Sequence, residues 1–308
     1  PRNSTLKIAM WVLAGVLALA PMVLYPVFLM KALCFALLAL SLNLMLGYTG
    51  LLSFGHAMFL GGAGYVSAHA AKVWGFNPEL AILSGTLAAL FLGGVAGIIA
   101  IRRQGIYFAM TTLALSQMIF FFSVQAKFTG GEDGIQGVPR GKLFGVIDLS
   151  NQLTMYYLVL VIFLAAMLLI YRIIHSPFGE VLKSIRENEQ RAISLGYKTT
   201  QYKLMAFIMS ATIAGLAGAT KAIVFQLASL TDVHSATSGE AVLMTLVGGL
   251  GTMLGPIFGA FVVITMETYL AEWGQWVTVI QGIVFVVCVM AFRRGIIGEI
   301  ARRTGRSL

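Results

Sequence analysis

Charged side chains are scarce in this chain. Asp, Glu, Lys and Arg together make up 11% of its 308 residues, against roughly 25% in an ordinary soluble domain. With 58% hydrophobic residues and a mean hydropathy of +0.88, that shortage excludes a water-soluble globular domain and makes the chain a membrane protein. Cysteine is nearly absent as well. Cys34 and Cys288 lie in separate hydrophobic segments without metal spacing, which excludes a disulfide framework and a thiolate metal site. No GxxxxGK[ST] phosphate loop, HExxH pair or GxSxG elbow occurs, so nucleotide hydrolysis, zinc chemistry and an acyl-transfer nucleophile have no recognisable machinery. Ionisable groups at mid-span are too few for a typical proton- or sodium-coupled carrier. The chain is therefore expected to be no enzyme, with no catalytic residue, metal ligand or cofactor of its own.

What remains is an all-α polytopic protein. A bilayer-spanning helix takes about 20 residues, so the length allows roughly ten spans with short loops. Hydrophobic runs place them at 8–27, 29–47, 51–71, 80–101, 105–126, 153–172, 204–226, 239–250, 253–271 and 275–292. The first run is read as a retained span and not a cleaved signal; whether Pro1 is the native start stays open. The formal charge of +9 is explained by orientation, with no need for nucleic acid. Arg2, Lys7, Arg102, Arg103, Arg172 and the tail residues Arg293, Arg294, Arg302, Arg303 and Arg306 fall on one side if every segment crosses. By the positive-inside rule both termini and residues 173–203 are then cytoplasmic, with 127–152 and 227–238 outside. Lys31, Lys72, Lys127, Arg140 and Lys142 weaken that bias without reversing it. The whole of 1–308 reads as a single transmembrane domain, carrying a cytoplasmic loop at 173–203, an external loop at 127–152 and a basic tail at 293–308.

The most polar run, Ser176 to Lys203, stands between two long hydrophobic segments. Ser176 before Pro177 is a helix start. Phe178, Val181, Leu182 and Ile185 recur at helical spacing as one apolar stripe. Asn188 can cap a second short helix, and Gly196 suits the left-handed position that ends one. The expectation is two short amphipathic helices with a bend near Glu187. A solvated connector is the plain alternative, although connectors are usually only a few residues long.

Two glycine-interrupted segments differ from the other spans: Ser41 to His56, and Leu246 to Pro256. Broken helices at membrane depth are tolerated where protein buries them or a watery cavity meets them, so they are candidates for a permeation path. They yield Asn43, Gly47, Thr49, Gly50, Ser53, Gly55, His56, Gly248 and Gly249 as candidate path residues. His56 alone reads more readily as a packing hydrogen-bonder than as a proton relay. Glu240 and Glu267 can lie near the outer interface, and Glu240 could meet the amino group of a zwitterionic solute. Ala211, Gly215 and Ala219, Ala214, Gly218 and Ala222, and the pair Gly93 and Gly97 are read as close-packing positions. Glycines and Pro139 in 127–152 indicate turns.

Ile185-Arg186-Glu187-Asn188-Glu189, followed by Ala192, Leu195 and Gly196, resembles the coupling loop of ABC importer permeases. The likeness is greatest to the branched-chain amino acid (LivM-type) family. Gly47-Tyr48-Thr49-Gly50, Ser53-Phe54-Gly55-His56-Ala57 and the small-residue run 61–64 stand in that family's order. So do 104–115, with Tyr107 and Thr112, and the loop residues Thr129-Gly130-Gly131, Asp133-Gly134 and Gly137. The resemblance covers about 41–292. It implies a permease subunit in a bacterial-type inner membrane, importing branched-chain amino acids with ATP hydrolysed by partner subunits. The implied partners are ABC ATPase subunits, a second related permease, an external substrate-binding protein, membrane lipid and a small-molecule substrate. The residues implied to press on the ATPase are Val181, Leu182, Ile185, Arg186, Glu187, Asn188, Glu189, Ala192, Leu195 and Gly196. Tyr107 and Thr112 join the path candidates. A passive channel or facilitator for a small polar solute such as urea or an amide is the alternative.

Overall fold

A computed structural model describes residues 2–271, 274, 276–291 and 295–299. The chain runs through α1 (Arg2–Leu19), α2 (Pro26–Leu46), α3 (His56–Lys72), α4 (Pro78–Ala100), α5 (Ile106–Gln125) and α6 (Gln152–Ile174). It continues through α7 (Pro177–Glu187), α8 (Glu189–Ser194), α9 (Thr199–Phe225), α10 (Leu230–Val233), α11 (Ser235–Gly248), α12 (Gly255–Tyr269) and α13 (Trp276–Ala291). Proline opens α2, α4, α7 and α12, where its missing N–H and preset φ cost nothing. Five helices, α2, α4, α5, α6 and α9, are long and apolar enough to cross a bilayer unaided. Other apolar helices are shorter. The protein is an all-α polytopic membrane protein, as its sequence leads one to expect. The basic residues Arg293, Arg294, Arg302, Arg303 and Arg306, and most of the 293–308 tail, lie outside the described residues.

Helix α2 is apolar around its whole circumference, the pattern of a central helix, and it is 83% buried over its apolar stretch against 28% for α5. Its companion in the core is α9, which packs on α2, α3 and α4. In lipid there is little hydrophobic gain from bringing helices together, so close backbone approach and hydrogen bonds decide the packing. The small-residue rows of α9 do this. A Cβ on Gly218 would fall 1.8 Å from the Leu60 carbonyl oxygen, and one on Gly215 would fall 2.0 Å from Ala89 Cβ. On α4, a Cβ on Gly93 would fall 2.6 Å from Ala211 Cβ.

Two breaks in regular structure enter the bundle from opposite ends. The expected third span at 51–71 starts only at His56, because residues 48–55 are unwound. Their N–H groups are satisfied partly by the Met45 carbonyl, which accepts from Thr49 and Leu51, and partly by side chains: Phe54 N–H donates to Thr112 Oγ1 and Gly55 N–H to Ser53 Oγ, each at 3.2 Å. From the other end the turn of α10 reaches down to α3, where Val233 is buried against Gly61. Helix α11 then starts at Ser235, earlier than the expected 239, because His234 Nδ1 accepts from Ala236 N–H. At 14 residues α11 spans only about 21 Å, short of the roughly 30 Å hydrocarbon core.

The loop at 127–152 is more than a run of turns. Strand β1 (Ile135–Gln136) pairs antiparallel with β4 (Leu227–Ala228), and β2 (Lys142–Leu143) with β3 (Ile147–Asp148). Lys72 donates to the Gln136 carbonyl at 2.6 Å and Arg140 to the Val224 carbonyl at 2.7 Å. Val138 and Leu149 are buried beneath it. The loop therefore shares one end of the bundle with 227–228, while α7 and α8 occupy the other.

Replacing Gly218 by Leu should drive α3 and α9 apart. The expected result is a loss of at least about 1–3 kcal/mol, the usual range for overpacking, read as a lower melting temperature in detergent and poor accumulation. Gly94→Leu, whose added atoms meet nothing within 4 Å, should leave both unchanged.

Candidate functional site

Local chemistry builds the α7–α8 pair as expected. Ser176 Oγ accepts from Gly179 N–H at 3.4 Å and Pro177 follows at the first helical position. Asn188 Oδ1 accepts from Arg191 N–H at 3.0 Å to start α8. Gly196 closes it at φ +89°. The bend lies at Asn188, one residue past Glu187.

The apolar stripe is covered by the chain's own bundle. Val181, Leu182, Ile185 and Ala192 do not face outward to a partner; all four are buried in the protein itself. Leu182 belongs to the main core, and Val181, Ile185 and Ala192 close over Tyr202 of α9. The physical reason is simple: an amphipathic helix lying on a bundle covers its apolar face with its own neighbours first. Two polar candidates are also engaged internally. Glu189 Oε1 meets Lys203 Nζ at 2.5 Å and accepts from Thr199 Oγ1 at 3.1 Å, and Lys203 is only 4% exposed. Arg186 Nη1 donates to the Gly47 carbonyl.

What is exposed is Arg186, Glu187, Asn188, Gln190, Arg191, Leu195 and Gly196, joined by Ile193 and Tyr197, which sequence reasoning passed over. The missed signal was angular. With Ala192 turned inward, Ile193 lies about 100° around the helix and must point away. Leu195 is 70% exposed. Beside this face a groove of about 910 Å³ runs between α7 and the start of α9, lined by Phe178, Glu180, Val181, Ser184, Tyr197 and Tyr202 among others.

The two glycine-interrupted segments meet at the end of α2. Asn43 Nδ2 donates to the Thr252 carbonyl at 2.9 Å, and Asn43 Oδ1 accepts from Gly251 N–H at 3.0 Å. One buried amide thus clasps the α11–α12 turn to α2. Gly47 and Gly251 approach so closely that a Cβ on Gly47 would lie 2.8 Å from Gly251 N. Gly50 takes φ +76° beside the stem of Arg186. Gly248 closes on Gly255, whose carbonyl oxygen would stand 1.8 Å from an added Cβ, and Gly249 turns the chain at φ +130°. Thr49 is buried and donates back to the Met45 carbonyl.

A second cluster lies deeper. His56 Nε2 is 2.7 Å from Ser210 Oγ, and His56 Nδ1 is 3.2 Å from Ser53 Oγ. Ser210 gives its only hydroxyl proton to the Ser41 carbonyl at 2.6 Å, so towards the imidazole it must accept. Nε2 therefore carries a proton and donates it to Ser210. Each polar atom has a use, which fits a structural His56. Thr112 is fully buried, and Gly55 lies against it, with 3.0 Å from an added Cβ to the Thr112 carbonyl oxygen. Asn43, Ser53, His56 and Thr112 are all closed off from open space.

Two path candidates stand apart. Tyr107 is 69% exposed at the start of α5 and points out of the bundle. Glu240 is at the opposite end from Gly47, within electrostatic reach of Glu267, Lys31, Lys221 and Asp232. Glu267 is paired with Lys31 at 2.9 Å. Sequence reasoning also missed the Lys221–Asp232 ion pair near that end; Asp232 sits in what reads as a loop, and only the inward dip of α10 brings it to α9. Among the described residues no group of three or more His, Cys, Asp or Glu side chains is placed to hold a metal ion.

A family model described as "Branched-chain amino acid transport system / permease component" matches residues 24–291. The high-affinity branched-chain amino acid transport system permease protein LivM of Salmonella typhimurium is 24% identical, with 85% of this chain and 67% of that protein aligned. LivM of Escherichia coli matches with the same identity and coverage. The ribose import permease protein RbsC of Bacillus subtilis is 26% identical over 72% of this chain and 70% of its own. No solved structure matches.

The buried Lys203–Glu189 pair gives a direct test of how α8 is held. Lys203→Met strands a carboxylate and should cost about 2 kcal/mol, below the 3–5 kcal/mol of a fully dry pair because Glu189 is partly exposed. Thermal unfolding in detergent checks this. The double variant Lys203→Met, Glu189→Gln should recover part of the loss.

Proposed function

The chain belongs to the branched-chain amino acid transport permease family, and from that premise we propose that it is the membrane-spanning subunit of an ATP-driven importer. Its relatives are transport permease subunits, and it is itself a multi-pass membrane protein with five helices long and apolar enough to cross a bilayer. In this reading separate ATPase subunits hydrolyse ATP, so this chain binds no nucleotide or other cofactor. A second permease and an external solute-binding protein complete the assembly. Both termini and the α7–α8 pair face the cytoplasm of a bacterial-type inner membrane, with the 127–152 loop outside. Branched-chain amino acids are the proposed cargo. The family's range extends to a ribose permease, so the cargo rests on the LivM likeness alone.

One observation carries the ATP-coupled reading. The α7–α8 pair is firmly seated on α6 and α9 by its inner face, yet it presents Ile193, Leu195 and Tyr197 to solvent on an otherwise charged surface. An exposed apolar group rimmed by Glu187, Gln190 and Arg191 fits a surface that another protein covers. A connector or a passive facilitator has no use for it.

Copurification tests the reading. The parental chain should bring down an ABC ATPase subunit. Ile193→Asp with Leu195→Asp should lower recovery of that subunit by at least about tenfold, as two apolar contacts of 1.5–3 kcal/mol each allow, with normal insertion. Ser184, exposed on α7, is the control site. Uptake that survives without any ATPase would favour a facilitator instead.

A further inference from the structure

We propose that Arg186 is a strut that ties α7 to both glycine-broken segments, holding the α7 end of the permeation path closed at rest and carrying movements of α7 into it. This rests on the importer reading for the source of movement, but the closure is argued from contacts within this chain.

Helix α7 sits on one set of elements and reaches to another. Its apolar stripe is fixed against α6 and α9. From the same helix Arg186 extends the other way. Its stem passes the Cα of Gly50, where an added Cβ would lie 3.3 Å from Arg186 Cγ. Its guanidinium donates to the Gly47 carbonyl and lies beside Gly251, whose added Cβ would stand 3.0 Å from Nη1. Gly47 is the C-terminal cap of α2, so its carbonyl lies at the negative end of a long helix dipole and suits a cation. The Asn43 clasp then joins Gly251 and Thr252 to the same point. A displacement of α7 therefore acts on both unwound segments at once.

The residue types fit that task. Any side chain at Gly50 or Gly251 would meet both a left-handed backbone, at φ +76° and +73°, and the arginine. A cavity of about 430 Å³ lies next to the strut, lined by Tyr48, Lys183, Arg186, Glu187 and Gly251. It gives the guanidinium room to leave Gly47 without displacing packed atoms. Arg186 is thus a positioning residue: its side chain is exposed along much of its length, but its guanidinium is engaged by the Gly47 carbonyl.

The test uses the assembled transporter in inside-out vesicles, carrying Tyr48→Cys on a Cys34→Ala, Cys288→Ala background and a membrane-impermeant maleimide. Tyr48 is buried at 7% exposure, so labelling reports opening of the junction. With Arg186 present, labelling should be slow without nucleotide. Arg186→Gln should speed it about tenfold, the factor expected from losing one charge-assisted hydrogen bond, and should raise the ATP hydrolysed per solute imported. The ATPase should still copurify. Arg186→Lys keeps the charge but loses the fork and should fall between the two rates. If Arg186→Gln does not accumulate, an intermediate rate in Arg186→Lys carries the proposal and a parental rate overturns it. Unchanged labelling in Arg186→Gln, or loss of the ATPase from the assembly, also overturns it, the latter by making Arg186 a docking residue. Absence of any ATPase from the parental preparation defeats the importer reading instead, and the labelling rates still decide whether Arg186 closes the junction.

Discussion

A backbone amide or carbonyl inside a bilayer has no water to turn to, and this structure depends on how that constraint is met. Most of the chain meets it by being helical. At 47–55 and 249–254 it does not, and unpaired groups there are taken up by side chains: Asn43 on Gly251 and Thr252, Thr112 on Phe54 and Arg186 on Gly47 from elsewhere in the chain, and Ser53 on Gly55 within the segment. These bonds connect α2, α5, α7 and the α11–α12 turn. An irregular segment in a membrane is thus also a junction, because satisfying it recruits its neighbours.

The remainder of the bundle is arranged so that such a junction can exist. The close approach of α9 to α3 and α4 through Gly218, Gly215 and Ala211 makes a compact body with few polar demands. The His56, Ser53, Ser210 and Ser41 chain locks the first unwound segment onto that body. Helix α7 lies across this body with its apolar side down, and its polar residues are left for the junction on one side and for a partner on the other. Rigid packing next to replaceable hydrogen bonds is the arrangement expected where a conformational change is to be confined to a few elements.

Much of this could be read from the residues. Apolar runs located the five helices long enough to span a bilayer and the shorter apolar helices beside them, and Ser176, Pro177, Asn188 and Gly196 located the ends of α7 and α8 through cap chemistry that is local. The small-residue rows of α9 were legible because a four-residue spacing has one main use in lipid. Direction was not legible. The stripe of Val181, Leu182 and Ile185 announces a buried face, but a sequence does not say whether the burying surface is the same chain or another. Here it is the same chain, and the outward Ile193 follows only after that is known. Partners distant in sequence were hidden too: Asn43 with Thr252, Lys203 with Glu189, and Lys221 with Asp232 each need the packed bundle to meet. Tyr107 and Glu240 were grouped with the other path candidates, yet they stand away from the junction.

In the proposed assembly the α7–α8 face and the junction beneath it lie on the ATPase side of the membrane, opposite the 127–152 loop. Single cysteines at Val146, 82% exposed in that loop, and at Gln190 on α8 test it in sealed cells with an impermeant maleimide. Rapid labelling at 146, with protection at 190 until the membrane is opened, is the expected result. Labelling of 190 from outside, with 146 protected, would contradict it.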